Sequence, residues 1–251
     1  MSSNRVSIVV PTYQEADNLR VLIPRVFAAL RSAGVEAEMI IVDDNSQDGT
    51  ERIIAEAAAT HPVRLITRTN ERGLSSAVVR GFEEARHDIF VCMDADLSHP
   101  PESLAPVIAP VAAGSAEFCL GSRYAQGGST ADDWGFFRWL NSKIATLMAL
   151  PLVRVHDPMA GFFCTRREVV DRARKAGLNP IGYKIGLEIL VKGGCKNVTE
   201  IPIHFEDRLH GKSKLTLRQQ LQYVQHVLRL YRFRWLGGLT LFALMTLSGT
   251  P

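Results

Sequence analysis

Two carboxylates, Asp94 and Asp96, stand one residue apart at the end of an apolar run, in the stretch VCMDADLSHPP. Like charges at that spacing repel unless a cation, a proton or water answers them. If the chain is extended there, residues two apart point to one side, so both carboxylates can face one hard cation. Magnesium or manganese would fit, with water and phosphate oxygens as the remaining ligands. Asp43 and Asp44 end a second apolar run, and Pro11, Tyr13 and Glu15 follow a third. The acidic pair suits hydrogen bonds to a base or ribose, and the Tyr13 ring suits stacking on a base. The second half supplies the opposite charge, with Arg123 in GSRYAQGG, Arg138 in WGFFRWLNS, and Arg208, Lys212 and Lys214 in FEDRLHGKSKL. Guanidinium forks and ammonium groups suit phosphate oxygens. Taken singly, each cation reads as a surface charge and each Asp as a turn or cap residue. Together they form an acidic, metal-binding rim opposite a basic set.

The elements that must position these residues are legible as alternating runs. Strand-like segments occupy 6–10, 39–42, 63–66, 89–93 and 118–121. Between the first four lie helix-like stretches at 15–32, 49–60 and 73–86, the middle one with Ser46 or Asp48 available as its cap. This alternation predicts an α/β domain with a mostly parallel, Rossmann-like sheet, helices on both faces and right-handed crossovers. Ligands of such sheets bind beyond the carboxyl ends of the strands, where all three polar clusters of the first half would lie along one rim. The first strand-to-helix turn, VVPTYQEADN, contains no glycine. It therefore lacks the close backbone approach of a G-x-G-x-x-G dinucleotide site, and a P-loop is missing for the same reason.

With 251 residues, 46% apolar and 22% charged, the composition is that of an ordinary globular protein. A net charge of +3 gives no argument for a nucleic-acid partner. Cys92, Cys119, Cys164 and Cys195 form no CxxC pair and read as free, largely buried thiols in a reducing compartment. The N-terminal apolar run before Pro11 is too short for the core of a signal peptide, so the catalytic part is expected in the cytosol.

The segments VPTYQEADN, VDDNSQDGT, RTNERGLSSAVVRGFEEA, MDADLSHPP, GSRYAQGG and IPIHFEDRLHGKSKL, in that order, span about residues 5–216. Together they resemble the family 2 glycosyltransferases of the GT-A fold, and within them the dolichol-phosphate mannose synthases. The resemblance implies a nucleotide-sugar donor, a divalent metal and a polyprenyl-phosphate acceptor. It also implies that Pro11, Tyr13, Glu15 and Asp43 contact the nucleotide, that Asp94 and Asp96 bind metal and diphosphate, and that Arg123, Arg138, Arg208 and Lys214 gather the two phosphate groups. One segment departs from many eukaryotic and archaeal members, which read D-x-T-S-G-F where this chain has Asp157-Pro158-Met159-Ala160-Gly161-Phe162. In this it is similar to bacterial members, in which a membrane domain of several helices often follows. The most direct expectation is an inverting transfer of mannose from GDP-mannose to a polyprenyl phosphate. UDP-glucose as donor, a saccharide as acceptor, or a non-catalytic nucleotide- or lipid-binding scaffold are the alternatives.

A long-chain lipid acceptor has to be met at a membrane. Leu217, Leu221, Val224, Leu228 and Tyr231 fall at helical spacing among Arg218, Arg229, Arg232 and Arg234, a basic amphipathic pattern suited to an anionic surface or to packing on the domain. The aromatics Trp134, Phe136, Phe137 and Trp139 are a second candidate contact. From 235 to 247, WLGGLTLFALMTL is nearly uncharged but shorter than the roughly 20 residues of a span. It reads either as a buried helix or as the start of a membrane domain. The expected division is a catalytic domain at 1–216 and a membrane-associated extension at 217–251, on the cytoplasmic face.

Overall fold

The computed structural model describes residues 5–130, 136–206 and 217–247; the side chains of 136–141, 217–219 and 236–247 are not part of that description. The order of elements is β1 (Arg5–Thr12), α1 (Ala16–Ser32), β2 (Glu36–Asp43), α2 (Thr50–Ala58), β3 (Val63–Thr67), α3 (Leu74–Glu84), β4 (Ile89–Cys92), α4 (Leu104–Ala112) and β5 (Phe118–Ser122). After these come β6 (Ser129–Thr130), α5 (Phe136–Ala149), β7 (Phe163–Arg166), α6 (Arg167–Lys175), α7 (Ile185–Lys192), β8 (Val198–Pro202), β9 (His204–Phe205) and α8 (Leu217–Leu247).

Seven strands form one sheet in the order β3-β2-β1-β4-β7-β5-β8, and β6 and β9 pair separately. Strands β1 to β4 are mutually parallel, as the alternation predicts. β7 runs antiparallel to both neighbours, β4 and β5. Side chains alternate across the pleat. Val6, Ile8 and Val10 of β1 therefore join one core layer with Leu19, Leu22 and Val26 of α1 and Val107 of α4. Val9 joins the opposite layer with Val78 and Phe82 of α3 and Ile189 of α7. Gly81 lets α3 lie close on the sheet, since a Cβ there would sit 2.3 Å from Val9 Cγ1. All four cysteines are free, three of them buried.

A third apolar cluster joins Ala149 and Leu152 at the end of α5 to Leu187 of α7 and to Tyr223, Val227 and Leu230 of α8. Tyr223 and Tyr231 donate their hydroxyls to the carbonyls of Ala145 and Met148, at 2.6 and 2.9 Å. α8 thus packs on the domain through one stripe. The stripe that the spacing singled out largely faces away, with Leu221 59% and Leu228 60% exposed, Val224 beside them and Trp235 further along. No helix among the described residues is long and apolar enough to cross a membrane.

Candidate active site

Where β1, β2 and β4 end, the backbone takes unusual conformations. Gln14, Asn45, Gln47 and Leu97 are the non-glycine residues with positive φ among those described, at +55° to +64°. Each lies within five residues of a parallel strand's carboxyl end. Such conformations persist only where the surroundings impose them, and they gather at functional rims.

A cavity of about 490 Å³ opens at this rim. Its walls include Pro11, Tyr13, Glu15, Asp44, Asp94, Asp96 and Arg123. Seven of the twelve residues singled out from sequence therefore share one cavity. Asp43 is not among its walls. Its carboxylate accepts hydrogen bonds from the Ser46 amide and hydroxyl and lies 3.2 Å from the Thr12 hydroxyl, which orders the turn after β2. Asp44 lines the cavity but is also committed, to Arg68 Nε at 2.7 Å and to the Gly73 amide at 2.8 Å. Arg68, itself buried, donates further to Ser76 and to the Gly73 carbonyl, so the pair fastens the loop before α3 onto β2. Asp48 plays a comparable part, accepting from the Thr50 amide at the start of α2 and from the Ala16 amide at the start of α1.

Asp94 and Asp96 differ from one another. The chain does not stay extended: it bends at 95–97, with Leu97 left-handed, and still delivers both carboxylates to the cavity. Asp96 is nearly buried and accepts from the Ser98 amide and hydroxyl at 3.1 and 2.6 Å. Asp94 is 32% exposed. Its carboxylate accepts no hydrogen bond from the described residues, and His99 Nε2 stands 3.9 Å from Oδ2. His99 in turn accepts the Asp94 backbone N–H on Nδ1 at 3.0 Å and stacks on Phe162. Burial first, and the charges of Arg123 and Lys184 after it, lower the His99 pKa against the pull of Asp94 and Asp96. With Nδ1 acting as an acceptor, the ring proton sits on Nε2, on the side of Asp94.

This donor set fits a hard divalent ion. An open carboxylate beside a fixed one supplies two oxygen ligands, and no group of three or more His, Cys, Asp or Glu that would enclose a metal occurs among the described residues. Magnesium or manganese would then complete its shell with water and substrate oxygens.

The basic wall is equally divided. Arg123 grips the fully buried Asp157 with a fork, Nε to Oδ2 at 2.7 Å and Nη2 to Oδ1 at 2.8 Å, and its backbone amide adds a third bond. Burial alone would raise the Asp157 pKa, but the bonds and charge of Arg123 outweigh it and hold the carboxyl below its usual range. Glu200 orders the same loop from beneath, accepting the amides of His156 and Asp157. Arg208 and Lys214 lie outside the described residues, as does the side chain of Arg138. Glu206, just before the first of these segments, donates its amide to Ser98 O beside the Asp94–Asp96 bend.

Several lining residues carried no signal in the sequence. Arg72 lies over the Tyr13 ring at 5.0 Å. Lys184, between β7 and α7 in chain order, and Tyr183 come from a stretch with no periodicity and no charge cluster. His99 stands inside DADLSHPP, but its spacing alone assigns it no task.

A mostly parallel sheet with one antiparallel strand and a charged cavity at its carboxyl rim is the GT-A architecture of glycosyltransferases. A family model described as Glycosyl transferase family 2 matches residues 7–174, and the chain belongs to that family. It is similar to the dolichol-phosphate mannosyltransferase of Pyrococcus furiosus, with 44% identity over 98% of this chain and 69% of that protein. To the polyprenol monophosphomannose synthase of Mycolicibacterium smegmatis the identity is 34%, over 85% of this chain and 82% of that one. Among solved structures it resembles glucosyl-3-phosphoglycerate synthase from Mycobacterium tuberculosis in complex with Mn2+, UDP and glucosyl-3-phosphoglycerate. The TM-score is 0.63 at 18% identity, covering 90% of this chain and 78% of that chain, a likeness of fold.

Proposed function

We propose that the protein transfers mannose from GDP-mannose to a polyprenyl monophosphate, with inversion, at a membrane surface. The observation that carries this reading is the cavity itself, where Asp94, whose carboxylate accepts no hydrogen bond from the described residues, and the fixed Asp96 face a cationic wall. The names of the curated relatives support the choice of mannose and of a polyprenyl phosphate. Pro11, Tyr13 and Glu15 would receive the nucleotide, while the Asp43 and Asp44 turn shapes that end of the cavity.

A divalent ion, magnesium or manganese, held by Asp94 and Asp96 would supply positive charge to the departing diphosphate. The acceptor phosphate is largely ionised at neutral pH and needs no strong general base. One of its oxygens attacks the anomeric carbon as the carbon–oxygen bond to the diphosphate breaks, and the nucleoside diphosphate leaves with the electron pair. Positioning of the acceptor would fall to Arg123, Arg138, Arg208 and Lys214, and holding reactants in line contributes much of the rate. A loose, oxocarbenium-like transition state is expected, as in glycoside cleavage.

The exposed apolar stripe of α8, with Arg229 and Arg232 beside it, supports contact with an anionic membrane. Ile144 and Leu147 of the neighbouring α5 extend that apolar surface. The segment 217–251 would thus hold the enzyme at the cytoplasmic face, alone or with a membrane-domain partner. The test is a radiolabel transfer assay with Mg2+ or Mn2+, a short polyprenyl phosphate, and labelled GDP-mannose and UDP-glucose in parallel. Label should enter the organic phase from GDP-mannose and disappear with EDTA; label from UDP-glucose alone would replace the donor, and none from either would overturn the reading.

A further inference from the structure

Lys184 is the charged group of the cavity that the family motifs quoted above do not contain. It lies half-buried in the wall with Asp94, Asp96 and Arg123. Its position is set from three sides. Gly182, at φ +76°, turns the chain and accepts the Ser75 amide of α3 at 3.3 Å. Gly186, two residues on, lets α7 begin against Phe163, which a Cβ would meet at 3.1 Å. The Lys184 ammonium donates to the Met159 carbonyl at 2.6 Å, which aims it at the loop 157–162 rather than at solvent.

An ammonium has three donors, and no acceptor besides Met159 O meets this one among the described residues. Among the described residues no carboxylate lies within ion-pair distance of it either. Arg123, by contrast, commits two of its nitrogens to Asp157. Arg123 is thereby paired directly with a carboxylate, whereas Lys184, among the described residues, meets the face of the Tyr183 ring at 4.9 Å and no carboxylate. Burial and the nearby Arg123 lower the Lys184 pKa to about 8, against the pull of Asp157 and Asp94. An anion that enters the cavity would give this amine a charged partner.

We propose that Lys184 is a direct phosphate-binding residue of the cavity, its two remaining N–H donors taking oxygens of the donor diphosphate on the side away from Asp94 and Asp96. Magnesium-side and lysine-side contacts would then share the charge that grows on the leaving group. This deepens the proposed transfer reaction and rests on it for the identity of the diphosphate. The acceptor phosphate is the other source of the same chemistry.

The experiment is calorimetric binding of GDP and of GMP, each with Mg2+, to the wild type, Lys184→Gln and Lys184→Arg, with UDP and UMP substituted if the wild type prefers them. A charged hydrogen bond predicts that Lys184→Gln weakens the diphosphate roughly 10- to 100-fold and the monophosphate much less, with Lys184→Arg recovering part of the loss. Unchanged nucleotide binding with a raised KM for the polyprenyl phosphate would keep the phosphate role and move it to the acceptor. Equal weakening of GDP and GMP, or no change in nucleotide affinity and acceptor KM, overturns the assignment. Should Lys184→Gln fail to fold, amine acylation of the wild type read by mass spectrometry replaces it. Protection of Lys184 by GDP–Mg2+ or by the lipid phosphate supports the role, and protection by neither overturns it. Transfer that proceeds normally in Lys184→Gln would sink Lys184 and leave the reaction intact. GDP binding that depends on Lys184 without transfer from either sugar donor would do the reverse.

Discussion

After β2, Asp44 is held by Arg68 and the Gly73 amide; after β4, two strands away, Asp94 accepts no hydrogen bond from the described residues. The basic side repeats the contrast, with Arg123 forked onto Asp157 and Lys184 held, among the described residues, by the Met159 carbonyl and the face of the Tyr183 ring. Each side thus pairs one ionic group spent on holding a loop with another that has no directly bonded opposite charge among the described residues, His99 being neutral or charged with its protonation. A buried charge with a complete hydrogen-bond set supports architecture, and one with an incomplete set marks where a ligand's charge is expected.

Removing the open carboxylate should have the largest effect. Asp94→Asn is expected to lower turnover by roughly a thousandfold in the transfer assay while leaving the thermal midpoint almost unchanged. Near-normal turnover would show that Asp94 is not where the leaving group's charge is met. The closed pair should respond the other way round. Arg68→Met leaves Asp44 buried without its ion partner, which costs about 3–5 kcal/mol in a urea or thermal unfolding experiment. A loss under about 1 kcal/mol would mean that the pair does not hold the loop before α3. The smallest stability change belongs to the outward stripe of α8. Leu221→Glu with Leu228→Glu should alter unfolding by about 0.5 kcal/mol or less per site, because both side chains face solvent. Co-sedimentation with vesicles containing anionic lipid should nevertheless fall several-fold, and undiminished sedimentation would remove α8 as the membrane contact.

Much of the first half was legible along the chain. Strands β1 to β5 fall on the apolar runs, and α1 to α3 occupy the stretches between them, because period-2 and helical patterns are local properties. Strand β7 was not anticipated. It has four residues, runs straight into α6, and owes its place between β4 and β5 to contacts with strands far away in sequence. α8 shows a finer limit. Residues 221, 224 and 228 form a periodic apolar face, yet Tyr223, Val227 and Leu230 form the packed one. Two apolar stripes on one helix cannot be ranked without knowing what lies opposite.

By itself, the sequence determined the α/β class, the carboxyl rim as the place of the site, and the residue types gathered there. Those follow from spacing, since strand ends and turns place their residues whatever the distant chain does. Only the tertiary structure decided which charges are available. Asp43 turned to Ser46, Asp44 to Arg68 and Arg123 to Asp157, while Asp94 and Lys184 kept their faces to the cavity. Hydrogen-bond partners 3 to 34 residues away settle that question. A side chain's remaining capacity is known only when every neighbour that competes for it is in place.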